Sequence, residues 1–190
     1  MEKIRVGFAM CGSFCTFSKV LPQMEALVQE GYDVLPILSE TAYTTDTRFG
    51  KAADFRQRIE TLTGHEIIHT IFGAEPIGPK QLLDVLVIAP ATGNTLGKLA
   101  LGVTDTAVTL AAKAHLRNER PIVLAVSTND ALGTSAKNIG QLLAAKHMYF
   151  VPMKQDAPNQ KPRSVVADFE KIPESVQAAL LGKQLQPILC

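Results

Sequence analysis

The chain has 190 residues, 46% hydrophobic and 19% charged, with a formal net charge of +1. That length suits one domain, spanning 1–190, with a sizeable core, and the composition argues against disorder. The near-neutral balance gives no reason to expect nucleic acid or an anionic membrane as partner, and no apolar run approaches the roughly 20 residues that a membrane span requires.

Residues 3–9 read as a first strand, followed by the turn residues Gly12 and Ser13. Val20, Leu21, Met24, Leu27 and Val28 form one helical stripe, with Gly31 where a helix C-cap belongs. Residues 33–38 are a second strand, with Ser39 and Thr41 just beyond it. Residues 49–62 read as an exposed helix ending at Gly64, with Lys51, Asp54, Arg56 and Arg58 on a solvated face. Residues 66–71 read as a short strand before the Pro- and Gly-rich turn AEPIGP.

A fully apolar strand at 85–89 breaks at Pro90 and gives way to Ala91, Thr92, Gly93, Asn94 and Thr95. Two helices follow, divided near Gly102, with Thr104 or Asp105 as the cap of the second. Residues 122–126 are the next strand, running into Ser127, Thr128 and Asn129 and then a helix carrying Ile139, Leu142 and Leu143. Residues 149–151 are the last strand, MKQDAPNQKPRS a polar loop of lid character, and 165–181 a closing helix. This alternation predicts an α/β fold: a doubly wound, mostly parallel, Rossmann-like sheet with helices on both faces. Polar residues at four strand ends would then converge on one crevice at the carboxyl edge.

Three other features are weighed on the residues alone. Cys11 and Cys15 would share a helix face and read as small buried groups rather than a redox pair. With Cys190, they make three thiols that cannot all pair within one chain, which points to a reducing cytoplasm. The string His65-Glu66-Ile67-Ile68-His69 has the spacing of a zinc hydrolase motif, but its β-branched residues favour a strand, where the two imidazoles stand about 13 Å apart. No metal is therefore expected.

The strings VGFAMCGS, LSETA and APATGNTLGKLA resemble the flavin-binding family that includes phosphopantothenoylcysteine decarboxylase. The resemblance covers residues 4–150 and implies bound FMN. Carried over residue by residue, it implies cofactor contacts from Gly12, Ser13, Ser39 and Thr41, from Ala91, Thr92, Asn94 and Thr95, and from Ser127 and Thr128. Gly12, Ser13 and Ser39 would hold phosphate, Thr92, Asn94 and Thr95 would hold phosphate or ribityl, and Ser127 and Thr128 would line the ring. The family's catalytic His falls on Pro76, only the Asn of its Pro-x-Met-Asn motif remains as Asn129, and its flap Cys is missing. A decarboxylase is thereby disfavoured, and no catalytic residue is named.

Residues 85–133 and 136–153 resemble a narrower branch, the small component of a two-component oxidoreductase. It implies oxidation of a cyclic dicarboxylate together with a partner chain that binds NAD(P)H. Asn129, Lys137, Lys161 and Arg163 are the candidates to face that dianion. A non-catalytic docking component with a vestigial flavin cleft is the alternative. The family resemblance also implies a homo-oligomer, a trimer or larger.

Overall fold

The structure is a computed structural model and describes residues 3–190; residues 1–2 of the expected 1–190 domain lie outside it. Strand β1 (Arg5–Met10) buries five of its six residues. Gly7 is required within it for space, since a Cβ there would fall 2.5 Å from Leu83 Cδ1. A single 3-10 turn (Phe14–Thr16) leads into α1 (Phe17–Gln29), which buries Phe17, Val20, Leu21, Met24 and Leu27. Gly31 closes α1 with a left-handed φ of 92°, and the amides of Gly31 and Tyr32 return to Val28 O and Leu27 O.

Strand β2 (Asp33–Leu38) coincides with the expected span. A short helix that the sequence did not signal, α2 (Glu40–Thr44), follows at once, because Ser39 caps it. Helix α3 (Ala52–Thr63) ends at Gly64 as expected. Arg56 on α3 is not simply solvated: it lies 4.6 Å from the Tyr43 ring centroid and donates to Tyr43 O.

The expected strand at 66–71 does not form. Only Ile68 bridges to β2, through bonds to Pro36 O and from Leu38 N. Thr70 then caps α4 (Ile71–Ala74), taking the chain out of extended conformation. A 3-10 turn (Glu75–Ile77) completes that corner.

Strand β3 (Val85–Ala91) is buried along its whole length, as a central parallel strand should be. It passes through Pro90 instead of breaking there. Proline has no N–H for the ladder, and the register to β4 shifts between Ile88 and Ala91 to accommodate it. Helix α5 (Gly93–Leu101) stops at Gly102, and α6 (Ala107–Leu116) is capped by Thr106, not Thr104 or Asp105. Thr106 and Thr109 satisfy each other's backbone N–H groups in a capping box, and Asp105 is instead held by Lys98 Nζ at 2.8 Å.

Strand β4 (Ile122–Thr128) is followed by α7 (Ala136–Leu143) and β5 (Met148–Phe150). The expected helix at 165–181 is shorter. Strand β6 (Met153–Lys154) pairs with β7 (Val165–Ala167), and β7 pairs antiparallel with Ser127 and Thr128. The β-branched Val165 and Val166 complete this sheet edge. A 3-10 turn (Phe169–Lys171) intervenes, and helix α8 (Ile172–Leu180) begins with Pro173 in its first turn, where a missing N–H costs nothing.

The strand order is β2-β1-β3-β4, with β5 on the first half of β4 and the β7-β6 pair on its last two residues. Every pairing among strands β1 to β5 is parallel, and only β6 and β7 run antiparallel. Two buried clusters cover the two faces. One gathers side chains of α4, α5, α6 and α7, and the other those of α1, α3 and α8. Each Leu- or Ile-sized side chain so buried contributes about 2 kcal/mol. Among the described residues no helix is long and apolar enough to cross a membrane.

Candidate functional site

Strand order reverses between β1 and β3. The chain leaves β1 for α1 on one face and leaves β3 for α5 on the other, so a crevice opens above the strand ends.

On the α1 side, Ser13 N donates to Cys11 O at 2.8 Å, which turns the chain sharply after β1. Thr16 Oγ1 donates to Ser13 O at 2.7 Å and holds that turn. The Ser13 hydroxyl then meets the Ser127 hydroxyl at the end of β4, 3.0 Å away. The end of β2 joins them: Ser39 N donates to Met10 O, and Ser39 Oγ accepts from Ala42 N at 3.2 Å. Thr41 packs so close that a Cβ on Gly12 would fall 3.2 Å from its Cγ2.

On the α5 side, Thr92 caps the helix through Thr95 N, and the two hydroxyls lie 3.1 Å apart. Thr95 Oγ1 donates to Cys11 Sγ at 3.2 Å, which ties the β3 loop to the end of β1. Burial pushes the Cys11 thiol up to about 11, against the lowering effect of Thr95 and of the Thr92 backbone. It therefore stays a neutral thiol, a spacer rather than a nucleophile. The first-turn N–H groups of α5 that Thr92 does not take point out of the helix end. Asn94 is exposed there and lines a groove of about 470 Å³ with Gly93, Thr128, Asp130, Ser135 and Asn138.

The remaining sequence candidates are spread over the end of β4, the loop between β6 and β7, the start of α7 and the end of β3. Asn129 Oδ1 accepts from Ser164 Oγ at 3.5 Å, and Leu132 N donates to Arg163 O at 3.0 Å. The Arg163 side chain lies over Gly133. Lys161 is paired inside its own loop with Asp156, Nζ to Oδ2 3.3 Å, and Lys137 is exposed in the first turn of α7. Ala91 is buried at the end of β3.

Sequence reasoning missed Asp130, which follows Asn129 without any motif of its own. Its Oδ1 accepts from Thr128 Oγ1 at 2.5 Å and Ser135 Oγ at 2.9 Å. It also missed Lys19 and Lys154, which line a groove of about 400 Å³ between α1 and the β6–β7 pair. Lys154 falls in the expected loop, so no spacing marks it.

The other motifs are engaged elsewhere. His65 Nε2 lies 2.6 Å from Asp33 Oδ1, whereas His69 stacks on Tyr43 with centroids 3.6 Å apart. Among the described residues no cluster of three or more His, Cys, Asp or Glu is placed to hold a metal. Cys11 is buried as expected, but Cys15 is exposed, because the two sit on a strand end and a 3-10 turn rather than on one helix face.

Comparison with known proteins matches this architecture. The Flavoprotein family profile covers residues 1–179. The B subunit of dipicolinate synthase from Bacillus subtilis (strain 168) is 49% identical over 185 residues, 97% of this chain and 92% of that one. The crystal structure of the dipicolinate synthase B subunit from Bacillus halodurans C superposes with a TM-score of 0.91 at 47% identity, covering 100% of this chain and 98% of the other. The FMN-dependent cysteine decarboxylase SpaF shares the fold, with a TM-score of 0.66 at 23% identity over 94% of this chain and 95% of that one. The chain belongs to the Flavoprotein family, with dipicolinate synthase B subunits as relatives along nearly its whole length.

Proposed function

We propose that this chain is the B subunit of a dipicolinate synthase. In a sporulating cell it would work with the synthase's other chain, the nicotinamide-binding A subunit, to oxidise a dihydrodipicolinate to dipicolinate, with FMN held in the β1/β3 crevice. One observation carries the reading: the likeness to a dipicolinate synthase B subunit runs over 97% of this chain at 49% identity.

The residues present fit a phosphorylated ribityl chain. Ser13, Ser39, Thr92, Thr95 and Ser127 bring neutral hydroxyls to the strand ends, and the neighbouring carboxylate, Asp130, is occupied by the Thr128 and Ser135 hydroxyls. Gly12 and Gly93 leave room where a side chain would close the approach. Ser13, Ser39 and Thr41 would hold the phosphate together with the N–H groups of the first turn. Ser127 and Thr128 would border the ring, and Asn94 would reach the ribityl hydroxyls. Bound flavin supplies electron transfer, which the protein's own groups do not. What the chain contributes is orientation and exclusion of water. Cys11 stays protonated, and Asp130 is held below the usual carboxylate range by the Thr128 and Ser135 hydroxyls, so neither is tuned for proton transfer near neutral pH.

That absence of a tuned acid or base also favours a second reading, a docking component that shapes the active site of its nicotinamide-binding partner without turning over itself. The two readings part in one experiment. The purified partner is assayed with and without this chain, and with wild-type or FMN-stripped protein. Turnover that needs both the chain and its FMN is expected. Stimulation by the stripped chain to the same rate favours docking, and full turnover by the partner alone overturns both.

A further inference from the structure

We propose that Asp130 is a positioning residue that fixes hydrogen-bond polarity in the groove beside α5, so that Thr128 meets a bound ring only as an acceptor for a ring N–H. The inference rests on the flavin reading above and specifies which edge of the ring system that groove accepts.

A hydroxyl has one proton to give. Thr128 gives its proton to Asp130 Oδ1 at 2.5 Å, and Ser135 gives its own to the same oxygen at 2.9 Å. Ser135 is 3% exposed, so its proton has no solvent alternative. The loop that carries Asp130 is itself fixed, because the amides of Gly133 and Ser135 both donate to Asp130 O. The Thr128 hydroxyl, and with it the Ser135 hydroxyl, holds the carboxyl below the usual carboxylate range, so at neutral pH it only accepts. Opposite lies Gly93, where a Cβ would fall 2.7 Å from Thr128 Oγ1 and 3.0 Å from both Asp130 Oδ1 and Ser135 Oγ. The clasp and the first turn of α5 thus fit together only around glycine.

What remains on the half-exposed Thr128 oxygen is lone-pair capacity. A phosphate or carbonyl oxygen placed against it would meet like polarity, whereas an N–H would be bound. An isoalloxazine carries an N–H at position 3 when oxidised and gains another at position 5 on reduction, so the groove takes one of those two edges.

The test is a binding cycle on the full chain. FMN, 3-methyl-FMN and reduced FMN are titrated into wild type, Thr128→Val, Thr128→Ser and Asp130→Asn, with melting temperature as the folding control. In wild type, 3-methyl-FMN is expected to bind roughly tenfold more weakly than FMN, or reduced FMN roughly tenfold more tightly than oxidised, the size of one hydrogen bond to a polarised acceptor. That ratio should collapse to about one in Thr128→Val, shrink in Asp130→Asn and return in Thr128→Ser, whereas a merely structural role would move all ligands together. Ratios unchanged across wild type and Thr128→Val overturn the proposal while leaving the flavin reading in place. If wild type binds no FMN at all, the flavin reading fails first and this proposal with it.

Discussion

Ser13 Oγ and Ser127 Oγ lie 3.0 Å apart across 114 residues of sequence, joining the end of β1 to the end of β4. One strand separates the two, so the contact spans the crevice opening above β3. Two hydroxyls in contact spend one proton on each other and leave one donor and several lone pairs, so the pair can both give and accept a hydrogen bond at the mouth of the crevice.

Ser13→Ala should weaken FMN binding roughly tenfold, the value of a hydrogen bond to the charged phosphate, and Ser127→Ala, beside the ring, should weaken it by less. Because the residues touch, the double variant should lose less than the sum of the two. Equilibrium titration of the four proteins measures this coupling.

Cys15 and Cys190 are exposed and Cys11 is 2% exposed. A thiol reagent should therefore modify two thiols quickly and the third only after denaturant is added. The Cys11 pKa is raised from 9.0 to about 11, so the unfolded chain loses this proton first. Its contribution to stability is fully present below pH 9.0 and is lost as pH rises toward about 11. Cys11→Ala should flatten that alkaline loss in denaturant melts recorded against pH.

His115 is 1% exposed, and its Nε2–H donates to Pro121 O at 3.0 Å. Burial lowers its pKa from 6.5 to about 4, so the unfolded state takes up the proton first as pH falls. Stability should hold above pH 6.5 and drop between 6.5 and about 4. One proton gives a slope of at most about 1.4 kcal/mol per pH unit, so the whole loss is about 3 kcal/mol. Urea midpoints across that range test it, and a flat profile would contradict the buried, neutral imidazole.

Gly7→Ala should destabilise the chain by about 1 to 3 kcal/mol, because the added Cβ meets Leu83 Cδ1 at 2.5 Å in the middle of the sheet. Leu83→Ala is itself costly, because it truncates a fully buried side chain, but the double variant should lose less than the sum of the two, since the clashing atom is gone. Thermal melts of the two single variants and the double variant measure that difference.

Much of the fold is legible where local chemistry and tertiary context agree. β2 shows its apolar run between turn residues, and Gly31, Gly64 and Gly102 stand past the ends of their helices. The failures are places where a partner distant in sequence decides. Val165 and Val166 look like the start of a helix until Ser127 and Thr128 offer them a ladder, although Pro173 already argues against an unbroken helix through 165–181. Ile67 and Ile68 look like a strand, yet Thr70 caps a helix two residues later. At the site, the hydroxyl-rich loops announce themselves by composition. The bond from Thr95 to Cys11 spans 84 residues, and Asp130 gains its meaning only from Thr128, Ser135 and Gly93 around it. No spacing encodes such contacts.

The central claim is that the crevice between β1 and β3 is a flavin site, and titrating the purified full chain with FMN tests it most directly. The account predicts saturable binding at one FMN per chain, with a perturbed flavin absorbance band, weakened in Ser13→Ala and abolished when Ser13→Ala and Ser127→Ala are combined with Gly93→Val. Absence of saturable binding in wild type, or binding indifferent to all three substitutions, would contradict it.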